Sequence, residues 1–250
     1  MDKTDGVDGP SLTLSGDATA ENVRVPRLTG ETDTPHLPAA VLWDMDGTLV
    51  DTEPYWMQCE FDLAARHGGS WSEEDALAVV GSDLMDSAAY MREHMGIDRT
   101  PLEIIEELLD GVVKRIEDHV PWRPGARELL ADLRAQGVPC ALVTMSWRRF
   151  VEPVLRALPE DSFTELVCGD EVEHGKPHPE PYLKAARLVG FAPEKTLAIE
   201  DSPTGATSAD AAGCLVLVVP NHVPVPGGER RIVRDTLLGL GPQDLAAFFG

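Results

Sequence analysis

Apolar positions along the chain fall into two alternating patterns. Five short runs, Ala39-Ala-Val-Leu-Trp43, Pro139-Cys-Ala-Leu-Val-Thr144, Glu165-Leu-Val-Cys168, Thr196-Leu-Ala-Ile-Glu200 and Leu215-Val-Leu-Val-Val219, are largely apolar at successive positions and so read as strands buried on both faces. Between them lie amphipathic stretches with helical spacing: 126–136 closed by Gly137, 147–158, 180–189 ending at Gly190, and 203–212 ending at Gly213. Strand and helix in alternation specify right-handed crossovers and a parallel sheet, an α/β fold.

One section breaks the rhythm. Pro54 to His67 ends at Gly68-Gly69, Ser72-Glu-Glu-Asp75 opens a second helix with a capping-box pattern, and a third spans Leu84 to Met95. A fourth starts with Thr100 as N-cap, Pro101 as first helical residue and Glu103 as the reciprocal cap, and runs to about His119. No strand signal interrupts these helices, so residues 54–121 are expected to form a small all-helical domain inserted between a core of residues 39–53 and 122–250. Residues 1–38, rich in Asp, Thr, Gly and Pro and without either period, are expected to be a disordered acidic tail.

Charge narrows the partners. In 250 residues there are 43 Asp+Glu against 21 Lys+Arg, a formal charge of −22. Nucleic acid and anionic membranes both call for fields of Lys and Arg, so neither is expected as a partner. A phosphate-bearing ligand would have to be small and met by a local positive site. The four cysteines are far apart with no CxxC pair, which fits reduced core thiols in a cytoplasmic protein. The N-terminal segment lacks the basic and apolar regions of a secretory signal, and no run of 18 apolar residues exists.

In a parallel sheet of this kind the ligand site lies beyond the C-terminal strand ends. Polar residues gather there: Asp44 and Asp46 after the first strand, Thr144 after the second, Glu200 and Asp201 after the fourth, with Lys176 in the loop before the helix at 180. Asp44-Met-Asp46-Gly47-Thr48 sets two carboxylates on one side of a sharp turn, where mutual repulsion must be relieved by a cation or a split of their pKa values. It is not an EF-hand loop, because the fifth and sixth positions are Thr48 and Leu49.

These four segments, Asp-x-Asp-Gly-Thr, Thr144, Lys176-Pro177 and Glu200-Asp201-Ser-Pro-Thr-Gly205, resemble the four motifs of the haloacid dehalogenase superfamily, over residues 39 to 221. The resemblance implies a Rossmann-like three-layer core with a helical cap inserted after the first motif, as in the subgroup of small-molecule phosphatases and β-phosphoglucomutase. It implies a Mg²⁺-dependent phosphatase acting on a small phosphorylated metabolite, plausibly a sugar or polyol phosphate, through an aspartyl-phosphate on Asp44.

By the same resemblance Asp46 is the acid and then the base. Asp44, the backbone carbonyl of Asp46 and Asp201 hold the metal, with Glu200 orienting a metal-bound water. Gly47, Thr144 and the amides of Met145 and Ser146 take the phosphate, and Lys176 neutralises charge. Glu53 and Trp56 at the start of the cap, Ser82 in the Gly81-Ser82-Asp83 turn, and Arg148 are candidate substrate contacts. A phosphomutase with the same fold is the rival reading. Trp56 stands where mutase-like sequences carry His, and Asp51-Thr-Glu-Pro-x-Trp56 looks more like the hexose- and hexitol-phosphate phosphatases. A non-catalytic phosphate-sensing or partner-binding module is a more distant rival. The protein is expected to act as a monomer or weak homodimer.

Overall fold

Strands β1 (Ala40–Trp43), β2 (Cys140–Val143), β3 (Glu165–Val167), β4 (Thr196–Glu200), β5 (Leu215–Val218) and β6 (Arg231–Val233) form one sheet in the computed structural model. Their order is β3-β2-β1-β4-β5-β6 and every neighbouring pair is parallel. The structure describes residues 36–80, 82 and 84–249. Almost all of the expected acidic tail, and Gly81 and Asp83 of the expected cap turn, lie outside the described residues.

Helices cover both faces, as the Rossmann-like α/β reading requires. On one face α5 (Ala126–Ala135) and α6 (Arg148–Arg156) pack on Val41, Trp43, Leu142, Leu197, Ile199 and Leu217. On the other, α7 (Glu180–Val189) and α8 (Pro203–Ala212) pack on Leu42, Val143, Ala198, Val216 and Val218. Strand alternation explains the division, since neighbouring residues of β1 point to opposite faces. The two faces differ in grain. The second is lined by Ala185, Ala186, Ala206, Ala209 and Ala212, whereas the first is built from long aliphatic and aromatic side chains.

Helices α1 (Glu53–His67), α2 (Glu73–Val79), α3 (Leu84–Met95) and α4 (Pro101–Asp118) follow β1 without a strand among their described residues. The predicted caps form: Ser72 Oγ accepts from Asp75 N–H, and Thr100 Oγ1 from Glu103 N–H, each with the reciprocal carboxylate bond. The chain enters and leaves this helical section side by side. Asp51 N–H donates to Pro121 O at 2.8 Å and Arg123 N–H to Leu49 O at 3.0 Å. Leu63, Met91, Ile105 and Leu109 of these helices join the same buried apolar cluster as the α5–α6 face of the sheet. Arg149 at the start of α6 reaches Glu106 and Asp110 of α4, which adds an ionic clasp over that apolar seam.

Two short elements have no counterpart in the sequence pattern, the edge strand β6 and α9 (Pro242–Ala246). All four cysteines are buried and unpaired. Among the described residues no helix is long and apolar enough to cross a membrane.

Candidate active site

The registers of β1, β2 and β4 bring their C-terminal ends level, since Trp43 pairs with Leu142 on one side and Ile199 on the other. Asp44 therefore follows the central strand between Thr144 and Glu200. A cavity of about 600 Å³ opens above these ends, lined by Asp44, Asp46, Gly47, Thr144, Met145, Ser146, Lys176 and Asp201 from the strand ends and loops. Glu53, Trp56 and Ser82 line it from the helical side.

Lys176 is the hub. Its side chain is 5% exposed, and its ammonium donates to Asp44 Oδ1 at 2.6 Å, Glu200 Oε1 at 2.7 Å and Val143 O at 2.9 Å. Those partners outweigh burial and push its pKa up, so the cation is secure at neutral pH. Glu200 is fully buried and also accepts from Tyr182 O–H at 2.6 Å, which makes it a clamp on Lys176. Burial raises its pKa.

Asp46 is held differently. Thr52 O–H donates to its Oδ1 at 2.5 Å and Ser146 O–H to its Oδ2 at 2.6 Å. Burial, the largest influence, moves its carboxyl up to about 6 against the pull of those two hydroxyls. Near neutrality a proton remains within reach of this group, while Asp44 beside it faces an ammonium.

Gly47 has φ 89°, in the left-handed region, and a Cβ there would come within 2.1 Å of Asp201 Oδ2. Its N–H donates to Val50 O at 2.7 Å, so the amide is committed to the turn and its contribution is close approach rather than a phosphate contact. Thr144 Oγ1 accepts from Ser146 N–H at 3.0 Å, which leaves Ser146 with its hydroxyl on Asp46 and its amide engaged. The Met145 amide, by contrast, has no acceptor among the described residues.

Carboxylate oxygens of Asp44, Glu200 and Asp201 lie within 4.8 Å of one another. Asp44 Oδ2 is buried without a hydrogen-bond partner, and burial followed by the charges of Asp44 and Glu200 drives Asp201 up to about 9. A cluster of hard oxygen donors short of positive charge fits Mg²⁺.

Arg148 is not among the residues lining the cavity. Its Nε donates to Glu171 Oε1 at 2.6 Å and its backbone N–H to Asp170 Oδ1, so a local carboxylate, not a substrate, takes up the guanidinium. Trp56 does line the cavity, and its ring packs edge-on against Phe150 with centroids 5.4 Å apart. Sequence reasoning assigned no role to Thr52 or Tyr182, although both lie inside the segments that carry the motifs. It also passed over Glu60, a buried carboxylate on the cavity wall whose Oε2 accepts from Trp71 Nε1–H at 3.0 Å.

Residues 41–219 match the family model for haloacid dehalogenase-like hydrolases. The chain is 33% identical to hexitol phosphatase B of Escherichia coli strain K12 over 192 residues, covering 75% of this chain and 86% of that protein. It is 32% identical to a phosphorylated carbohydrates phosphatase of Thermotoga maritima, over 70% of this chain and 81% of that one. Among solved structures, CbbY from Rhodobacter sphaeroides in complex with phosphate superposes with a TM-score of 0.74 at 27% identity, covering 84% of this chain and 100% of that chain.

Proposed function

The chain belongs to the haloacid dehalogenase-like hydrolases, and on that premise we propose that it is a Mg²⁺-dependent phosphatase cleaving a small sugar or polyol phosphate through an aspartyl-phosphate on Asp44. One observation carries the reading: two carboxyls on a single turn, Asp44 against the Lys176 ammonium and Asp46 pushed up to about 6 by burial. A nucleophile and a proton donor have to differ in this way to work side by side.

In the first step an oxygen of Asp44 attacks phosphorus, the bond from phosphorus to the ester oxygen breaks, and that oxygen takes the proton of Asp46. Thr52 and Ser146, donating to the two Asp46 oxygens, fix the direction of that proton. In the second step Asp46, now a carboxylate, accepts a proton from water as the water attacks phosphorus. The bond to Asp44 breaks and inorganic phosphate leaves. Lys176 balances negative charge on Asp44 and the transferring group, and the Met145 amide offers a donor to its oxygens. Asp44, Asp201 and the Asp46 carbonyl would hold Mg²⁺, with Glu200 behind them. Bound there, the cation supplies charge neutralisation and Lewis-acid polarisation of phosphoryl oxygen.

A phosphomutase would have to favour return of the phosphoryl group over its loss to water. Trp56 offers no titratable group at the start of α1 for that purpose, which favours hydrolysis. Four buried, unpaired thiols suit a reducing cytoplasm.

The test is phosphate release across phosphorylated sugars, polyols, nucleotides and glycolate, with Mg²⁺ or EDTA, for the natural protein and Asp44→Asn. Metal-dependent release that drops by about a thousandfold or more in Asp44→Asn is the expected result. Unchanged turnover in Asp44→Asn would sink the mechanism.

A further inference from the structure

The cavity wall contributed by α1 carries acids where a phosphatase pocket has no evident use for them. Glu53, Trp56 and Glu60 are spaced i, i+3, i+7, one stripe of the helix, and all three line the cavity. Glu60 is 3% exposed. Its Oε2 accepts from Trp71 Nε1–H, and its Oε1 has no donor among the described residues. Val79, Met91 and Leu108 line the same cavity without a polar group, and neither Ser82 nor Ser87, the hydroxyls on that side, bonds to Glu60.

Among the described residues no arginine lines the cavity, Lys176 is committed to Asp44 and Glu200, and His222, which acts on Glu53, lies 3.1 Å from Asp51. Burial pushes the Glu60 carboxyl up to about 7, and burial followed by the charge of Glu60 does the same for Glu53. A structural partner for the Trp71 N–H needs one acceptor, and a neutral amide would supply it without the desolvation of a charge. A carboxylate here has acceptor capacity left over, on a residue that lines the cavity.

We infer that Glu60, with Glu53, forms a subsite that accepts hydrogen bonds from the hydroxyls of an uncharged substrate tail and rejects a tail bearing a second anionic group. The inference rests on the phosphatase reading and deepens it. Hydroxyl donors satisfy the open acceptors, whereas a carboxylate or second phosphate would meet two acids and no uncommitted counter-charge among the described residues. Glu60 is thus a specificity-determining residue, and phosphorylated hydroxy acids and bisphosphates are excluded as good substrates.

The experiment compares kcat/KM for three esters of matched length: a polyol phosphate, its analogue lacking the distal hydroxyls, and its analogue ending in a carboxylate. The natural protein and Glu60→Gln are run side by side, with thermal melts to show that the variant, which keeps an acceptor for Trp71, is folded. The expected order for the natural protein is polyol, then deoxy, then carboxylate, with the carboxylate ester about tenfold or more below the polyol. Glu60→Gln is expected to narrow the polyol-to-carboxylate ratio by several-fold. Equal use of polyol and carboxylate esters, or a ratio that Glu60→Gln leaves unmoved, overturns the subsite while leaving the phosphatase reading intact. Absence of Asp44-dependent release from all three would instead overturn the phosphatase reading.

Discussion

Lys176 donates from Nζ to Asp44 Oδ1 at 2.6 Å across 132 residues of sequence, joining the loop before α7 to the end of the central strand. Both side chains are nearly inaccessible, so this is a buried pair, where removing one member costs far more than the pair's net worth. Lys176→Met leaves Asp44 and Glu200 facing each other without the ammonium. It is expected to lose about 3–5 kcal/mol of stability, read by denaturant unfolding, and nearly all turnover. A variant as stable as the parent would contradict the arrangement.

Gly47→Ala tests close approach. The new methyl meets the Asp201 carboxylate and must be held at a positive φ, costing about 1–2 kcal/mol in backbone strain alone. Because the displaced group is a proposed metal ligand, apparent Mg²⁺ affinity should weaken on the order of tenfold or more, measured as the Mg²⁺ concentration for half-maximal rate. Parent-like Mg²⁺ dependence would show that Asp201 moves freely.

Glu60 gives a pH signature in stability. Its carboxyl, pushed up to about 7 from an ordinary 4.5, binds a proton more tightly folded than unfolded. The stabilisation this provides is complete below about 4.5 and is lost as pH rises through about 7, on the order of 3 kcal/mol across the window. Gln cannot titrate, so Glu60→Gln should gain on the parent in Tm between pH 5 and pH 8. Glu53, raised in part by the charge of Glu60, loses that push in the variant, which works in the same direction. A Tm difference that stays flat with pH would count against burial of a charged Glu60.

Arg149 is a counter-case. Its partners Glu106 and Asp110 are at least half exposed, so the clasp between α6 and α4 is screened by water. Arg149→Ala is expected to change stability by under about 1 kcal/mol, with the difference shrinking in high salt. A larger, salt-insensitive loss would mean that the clasp is desolvated.

The strand ends were legible in the sequence because a buried strand announces itself by apolar continuity and Asp44, Thr144 and Glu200 interrupt it where the sheet stops. Capping glycines located helix ends well: Glu180–Val189 and Pro203–Ala212 stop where Gly190 and Gly213 put them. β6 was not legible. Three residues beginning with Arg231 make too short a run, and only pairing with β5 defines it as a strand. Glu60 was hidden for a related reason. On the sequence it is one more acid on an amphipathic helix, and its burial depends on Trp71 folding back from beyond Gly68-Gly69. Arg148 drew notice as a positive charge in an acidic chain, yet Glu171, which takes it up, sits 23 residues away on another loop.

The unlike grain of the two sheet faces sets different mechanical tolerances around the reaction centre. Alanines let α7 and α8 lie close to the strands, and a Cβ on Gly205 would overlap the Glu200 carboxylate, so the loops bearing Lys176 and Asp201 have little slack to yield. The opposite face continues into α1–α4 through Met91, Met95, Leu108 and other long side chains that can change rotamer at constant volume. Phosphoryl chemistry is thereby anchored to the stiff side of the sheet, while the recognition wall rides on the compliant side. Substitutions that reshape the tail pocket are expected to change which ester is used while leaving Asp44 and its partners in place.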